Sequence, residues 1–149
     1  AVCRNSGTIQ KYPAGGYNSS SRLEFVKIAE RQIQAITFDA AGNLIAVATD
    51  TKSAGYIYKV ESNGTCVLIA GGGDKEVTDA GIVGEPQTAK LEKAEGVMVD
   101  KDGCIWFSDG NGSTRKTKIL KPGKNGYEDA TITCFQSRKR LERLEHQSG

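Results

Sequence analysis

Two copies of one short pattern decide the fold: FDAAGNLI at residues 38–45 and VDKDGCIW at residues 99–106. Each copy has an apolar residue, an aspartate, two turn residues, a glycine, one variable residue and two apolar residues. Such a pattern is typical of a β-hairpin whose aspartate side chain closes the turn and whose glycine adopts a positive φ angle. The predicted structural turn residues are Asp39, Gly42, Asp100 and Gly103.

A second repeated piece indicates that each hairpin belongs to a longer β unit. Gly55–Val60 resembles Gly7–Tyr12, and each is followed by a further short run of β-forming residues. Strands are predicted near 36–39, 44–48, 55–60, 66–70, 96–99, 104–108, 116–120 and 131–135. The predicted core residues are Ile36, Phe38, Leu44, Val47, Ile57, Leu68, Val97, Val99, Ile105, Phe107 and Ile132.

The repeated units resemble the NHL repeat of six-bladed β-propellers. The resemblance is carried by residues 36–44, by residues 96–109, and by the glycine- and aspartate-rich connection that runs from 69–74 to 88–91. It implies an all-β fold built from antiparallel four-stranded blades. The chain departs from the family at Ala94, where the family has proline, and in its third strands, which lack the family's Asn-x-Arg-Ile.

The resemblance divides the chain into blades at residues 1–136 and a tail. The blade region comprises a half blade at 7–29, a blade at 33–70, an inter-blade loop at 71–93 and a blade at 94–136. The tail at 137–149 is rich in basic residues and helix formers, so a helical or disordered segment is expected. About ten strands form an incomplete ring, since a propeller has typically 4 to 8 four-stranded blades. The chain is then a segment of a longer protein, a diverged β domain, or one of several copies that complete a ring.

Composition narrows the classes of partner. The 149 residues carry a formal net charge of +2, which gives no overall field toward nucleic acid, so a nucleic-acid partner is not expected. No apolar stretch approaches the roughly 20 residues that cross a bilayer, so no membrane partner is expected either.

The cysteines Cys3, Cys66, Cys104 and Cys134 form no C-x-x-C pair, and His146 is the only histidine. We therefore expect no zinc site, and the cysteines are either small apolar strand residues or disulfide partners.

These features predict a binding or scaffold module for another protein or a ligand, completed by further blades of the same or another chain. Catalytic residues are unknown, because His146 lies in the tail and no nucleophilic triad can be assembled. The alternative function is a metal-dependent lactonase or esterase, since Glu95 and the residues after it also resemble gluconolactonase-type propellers. That resemblance implies Glu95 as a ligand of Ca²⁺ or another divalent metal, whereas no cofactor is expected of a scaffold.

Three N-glycosylation acceptor patterns bear on localisation. They begin at Asn18, Asn63 and Asn111, and all three lie in predicted loops. Asn-Gly is also ordinary turn chemistry, so these patterns favour an extracellular origin only slightly.

Overall fold

The described part of the chain, residues 7–15, 18 and 20–135, is all-β in the computed structural model. The predicted tail at 137–149 and Cys3 lie outside these residues. The strands are β1 (Thr8–Lys11), β2 (Leu23–Lys27), β3 (Gln32–Phe38), β4 (Leu44–Thr49), β5 (Gly55–Val60), β6 (Cys66–Gly71), β7 (Val97–Val99), β8 (Ile105–Asp109), β9 (Lys116–Gly123) and β10 (Gly126–Cys134). Short 3-10 helices span Pro86–Thr88 and Gly112–Thr114.

The strands form three antiparallel sheets in which chain neighbours pair. An N-terminal hairpin contains β1 and β2, a first sheet has the order β3-β4-β5-β6, and a second sheet has the order β10-β9-β8-β7. The predicted all-β class with antiparallel four-stranded sheets is confirmed. The sheets are consistent with incomplete propeller-like blades, and the described residues do not close a ring.

The hairpins form where the repeated pattern predicts them, because the aspartate and the glycine satisfy the turn locally. Asp39 Oδ1 accepts a hydrogen bond from the Asn43 amide at 2.8 Å, and Asp100 Oδ1 accepts one from the Cys104 amide at 3.0 Å. The turn glycines have φ angles of 84° at Gly42 and 80° at Gly103, a region that L side chains rarely adopt.

Two cores separate the three sheets. The first core lies between the N-terminal hairpin and the first sheet, and the second core lies between the first and second sheets. Strand β4 is buried along its whole length and contributes to both cores. The buried residues of the first core are Ile9, Ile28, Ile33, Leu44, Ala46, Ala48, Tyr58 and Val60. Those of the second core are Ile45, Val47, Ile57, Ile69, Ala70, Ile82, Ala89, Leu91, Ala94, Ile105, Phe107, Leu120, Ala130 and Ile132.

The long connection between β6 and β7, residues 72–96, packs into the second core. Its residues Ile82 and Leu91 are buried there, and Ile82 exchanges two backbone hydrogen bonds of 2.9 Å with Ile132 of β10. The Gly55 amide of β5 donates to the Leu91 carbonyl at 2.7 Å. The segment predicted as a loop thus joins the two sheets through apolar contacts and backbone pairing.

The prediction that Phe38 is a core residue is wrong. Phe38 ends β3 with 61% of its surface exposed, because it lies at the rim of the first sheet beside a cavity. Other predicted core residues are only partly buried, although they pack against the two cores: Ile36, Leu68, Val97 and Val99. The predicted positions Leu44, Val47, Ile57, Ile105, Phe107 and Ile132 are buried.

Candidate functional site

Among residues 7–15, 18 and 20–135, no element packs on one face of the second sheet, here called the outer face. Ile105 and Phe107 of β8 point into the second core, so Trp106 between them points to the opposite side. Strand pairing places Met98 and Ile119 beside Trp106 on that side. The Phe135 ring completes the row, with its centroid 5.6 Å from the Trp106 ring. Met98 and Phe135 have 54% and 53% of their surface exposed.

The same face of the first sheet is covered. In the two aligned hairpins, Ile45 of β4 is the counterpart of Trp106, and Val47 is the counterpart of Ser108. Ile45 and Val47 are fully buried in the second core. In the described part of the chain, this kind of sheet face is therefore covered in the first sheet and uncovered in the second.

Trp106 is held in place on the outer face by the turn before it. Its indole Nε1–H donates a hydrogen bond to Asp100 Oδ2 at 2.9 Å. The Trp106 hydrogen bond lowers the pKa of Asp100 below its ordinary value, helped by the Cys104 and Asp102 amides and opposed by partial burial. The aspartate that closes the hairpin thus also orients the largest ring of the exposed row.

A cavity of about 410 Å³ lies between the N-terminal hairpin and the first sheet, at the rim that carries the turn of Gly42. The Lys11 ammonium lies at this rim, 5.7 Å from the centroid of the Phe25 ring. The lining is mostly apolar and comprises Ile9, Gln10, Lys11, Tyr12, Phe25, Ile36, Phe38, Gly42, Leu44, Val60, Glu61 and Ser62. Sequence reasoning missed this cavity, because it depends on how two separate sheets meet.

A buried ion pair in the second sheet was also missed. Lys118 Nζ contacts Asp109 Oδ2, and Asp109 Oδ1 accepts a hydrogen bond from the Glu92 amide at 2.6 Å. Burial raises the pKa of Asp109, although Lys118 and the Glu92 amide act in the opposite direction. The sequence could have indicated that Asp109 is buried, because strand alternation places it on the core-facing side of β8 with Ile105 and Phe107. The pair ties the connection to the second sheet.

Glu95, predicted as a metal ligand under the lactonase alternative, lies just before β7. Its Oε2 is 3.2 Å from Arg115 Nη1, so the carboxylate forms an ion pair at the surface. Across residues 7–15, 18 and 20–135, no group of three or more His, Cys, Asp or Glu side chains could hold a metal ion. A metal-binding role for Glu95 stays a prediction.

A network of polar side chains, also missed from the sequence, fastens the short segment before β3. The Arg31 guanidinium lies 3.8 Å from the centroid of the Tyr56 ring, and its Nε donates to Tyr58 Oη at 2.9 Å. Tyr56 Oη in turn donates to Asp50 Oδ2 at 3.0 Å. Partial burial opposes ionisation of Asp50, but hydrogen bonds from the Ala54 amide, the Tyr56 hydroxyl and the Lys52 amide lower its pKa. The network holds Arg31, in the segment that links the N-terminal hairpin to the first sheet, against β5.

The remaining predicted sites are dispersed over the surface. Asn18, Asn63 and Asn111 are all exposed, and glycosylation of them stays a prediction. Cys66, Cys104 and Cys134 are free thiols, with Cys66 exposed and the other two half-buried. Burial raises the pKa of the Cys104 thiol, and the charges of Asp100 and Asp102 add to the effect.

Comparison with known proteins does not assign the chain to a family. No protein-family model matches the chain, and no curated protein matches its sequence. Among the described residues, none of the helices has the length and apolar character that a membrane span requires.

Proposed function

We propose that this chain is a segment of an NHL-type propeller that acts as a binding or scaffold module through its outer face. The observation that carries the proposal is a row of apolar side chains on the second sheet, in which Met98 and Phe135 are exposed and Trp106 and Ile119 are half-buried. Large apolar side chains that lie together at a surface mark interaction sites more often than scattered ones do. Tryptophan is also enriched among the few residues that contribute most of the binding energy of an interface.

The partner that fits this face is another β-sheet with an apolar side. Support comes from the first sheet, whose corresponding face is covered by the second sheet and buries Ile45 and Val47 completely. In a propeller every blade packs against the blades on both sides, so the next sheet would lie on the outer face. That sheet would come from the same polypeptide or from another chain.

In the absence of another partner, copies of the chain should cover this face for one another. We expect sedimentation velocity of the chain across a range of concentrations to give a mass that rises above 15.9 kDa. Met98→Lys places a charge in the row, and burying an unpaired charge is costly. This variant should weaken self-association at least about tenfold, which corresponds to roughly 1.4 kcal/mol.

The matched control is Val83→Lys, which changes an exposed residue of the connection, 75% accessible, to lysine. This variant should associate as the unchanged chain does. A chain that stays at 15.9 kDa at every concentration would overturn the proposal. Equal weakening by the two variants would overturn it as well.

A further inference from the structure

The rim of the second core is closed by a tyrosine of the second sheet. Tyr127, at the start of β10, packs against the second core, and its hydroxyl donates a hydrogen bond to the carbonyl of Gly103 at 3.0 Å. Burial, together with the nearby charges of Asp39, Cys104 and Asp100, raises the pKa of Tyr127 to about 12. A phenol ring with a donated hydrogen bond therefore lies over the turn glycine of this sheet.

The first sheet has the same turn and no residue that corresponds to Tyr127. Strands β9 and β10 run on past the paired residues Leu120 and Ile132 to a turn at Gly123 and Gly126. Strands β5 and β6 stop at the pair Val60 and Cys66. The second sheet's hairpin is thus longer than its counterpart, and the added length carries Tyr127.

Tyr127 lies beside Gly103 in the second sheet. At the corresponding place beside Gly42, the first sheet has the cavity. Gly42 lines this cavity, together with Phe38 and Ile36, which are the counterparts of Val99 and Val97 in the aligned hairpins. Val97 and Val99 pack against the second core, whereas Phe38 is 61% exposed. Among the residues that the structure describes, the rim of the first core is open where the rim of the second core holds the Tyr127 ring.

The cavity has the properties of a small-molecule site. Its volume of about 410 Å³ falls within the roughly 300–1,000 Å³ that is usual for ligand pockets. Its floor is continuous with the first core, since Ile9, Leu44 and Val60 belong to both. Apolar walls with a few polar groups at the rim are the composition that binds and orients a ring carrying one hydrogen-bonding group.

We propose that this cavity binds a small phenol, whose ring packs against Phe38 and Ile36 and whose hydroxyl donates to the Gly42 carbonyl. The chain itself supplies the precedent, because Tyr127 makes the equivalent hydrogen bond to Gly103. Aromatic rings gain from contact with other rings at the cavity wall, and Phe25 and Tyr12 also line the cavity. The proposal is independent of what covers the outer face.

The test uses 4-methylphenol as the ligand and two-dimensional NMR of the isotopically labelled chain as the readout. We expect saturable shifts of the Gly42, Leu44 and Ser62 amides. The matched compound 4-methylanisole lacks the hydroxyl donor and should bind about five- to tenfold more weakly, which is the usual value of one hydrogen bond. Equal affinities, shifts centred on Trp106, or the absence of saturable shifts near Gly42 would overturn the proposal.

Two variants locate the site. Phe38→Ala removes an exposed wall and should weaken 4-methylphenol binding at least threefold, while Val83→Ala, a control at another exposed position, should leave it unchanged. Ile36→Trp places a ring of the protein in the cavity and should abolish binding. Phe38→Ala decides the outcome if Ile36→Trp does not fold, since Phe38 makes little contribution to a core. Unchanged binding in Phe38→Ala would overturn the proposal.

Discussion

The two cores are built on the same hairpin pattern, yet their rims differ. The N-terminal hairpin reaches the first sheet through the short segment 28–31, whereas the first sheet reaches the second through the connection 72–96. The connection adds buried residues to the second core, and the extended hairpin adds Tyr127 beside Gly103. The first core, without either, keeps an open cavity beside Phe38. The repeated pattern therefore determines the sheets, while the segments between and beyond the sheets determine whether the rim of each core is closed.

The two sheets also differ at one pair of core-facing positions. The second sheet has the ion pair of Asp109 and Lys118, where the first sheet has Ala48 and Tyr58. In the first sheet the polar group is a phenol that accepts a hydrogen bond from Arg31 at its edge. An ion pair taken out of water is stable only while both partners are present. We therefore expect the second core to depend on one side chain more strongly than the first does.

The largest expected effect comes from breaking this ion pair. Lys118→Ala leaves the buried Asp109 carboxylate without its partner, so we expect the free energy of unfolding to fall by about 3–5 kcal/mol in urea denaturation. The matched control is Lys116→Ala, an exposed residue of the same strand, with an expected change within about 0.5 kcal/mol.

An apolar replacement of the pair sharpens the test. In the double variant Asp109→Ala and Lys118→Met, no charge is buried, and most of the stability should return. A loss of about 1 kcal/mol should remain, because the Glu92 amide no longer has its carboxylate acceptor. If Lys118→Ala costs no more than Lys116→Ala, the pair does not stabilise the second core.

The next effect compares counterpart residues in the two cores. Ile105→Ala, in the closed second core, should lower the free energy of unfolding by about 4 kcal/mol, because an enclosed cavity remains. Leu44→Ala, at the corresponding position beside the open cavity, should cost about 2 kcal/mol, because water can enter the enlarged space. Chemical denaturation of both variants provides the measurement. Equal losses would show that the two rims are equally closed.

The smallest effect concerns the hydrogen bond between Trp106 and Asp100. Trp106→Phe keeps a ring and removes the donor, so the pKa of Asp100 should rise toward its ordinary value of about 3.9. In the unchanged chain the folded-state pKa is lowered, so this bond's contribution is present above the unfolded-state pKa and lost as pH falls through the folded-state pKa. The variant should therefore lose less stability on acidification. Carboxyl NMR titration of Asp100 measures the shift.

Phe135→Leu is the control for this titration, because Phe135 contacts the Trp106 ring without bonding to Asp100. It should leave the pKa of Asp100 where it is. A shift of equal size in the two variants would assign the low pKa to the surroundings of the ring instead of the indole hydrogen bond.

Local chemistry made the sheets predictable from the sequence. Asp39 and Gly42 satisfy their turn within a few residues, and the same spacing recurs at Asp100 and Gly103. The prediction that Phe38 is a core residue is wrong, because the exposure of its side chain depends on which residues lie across the first core. Strand alternation alone assigns an apolar residue to a face and does not reveal whether that face is covered.

The candidate sites were harder to predict, because each needs residues that are distant in the chain. The cavity joins the N-terminal hairpin to the turn of Gly42, and the outer face joins Met98 to Phe135 through strand pairing. The connection shows no regular periodicity that would have marked Ile82 and Leu91 as buried. The carboxylate of Asp109 could have been placed from its core-facing position on β8, but its lysine partner comes from the next strand.

Strand β4 has a consequence for how the molecule unfolds. Its side chains enter the first core on one side and the second core on the other, and all of them are buried. Opening either core exposes one side of this strand and removes packing that the other core uses. Local opening events therefore cannot reach β4 without involving both cores, and its amides should be the slowest in the chain to exchange hydrogen for deuterium. We therefore expect the shared strand to couple the three sheets into one cooperative unit.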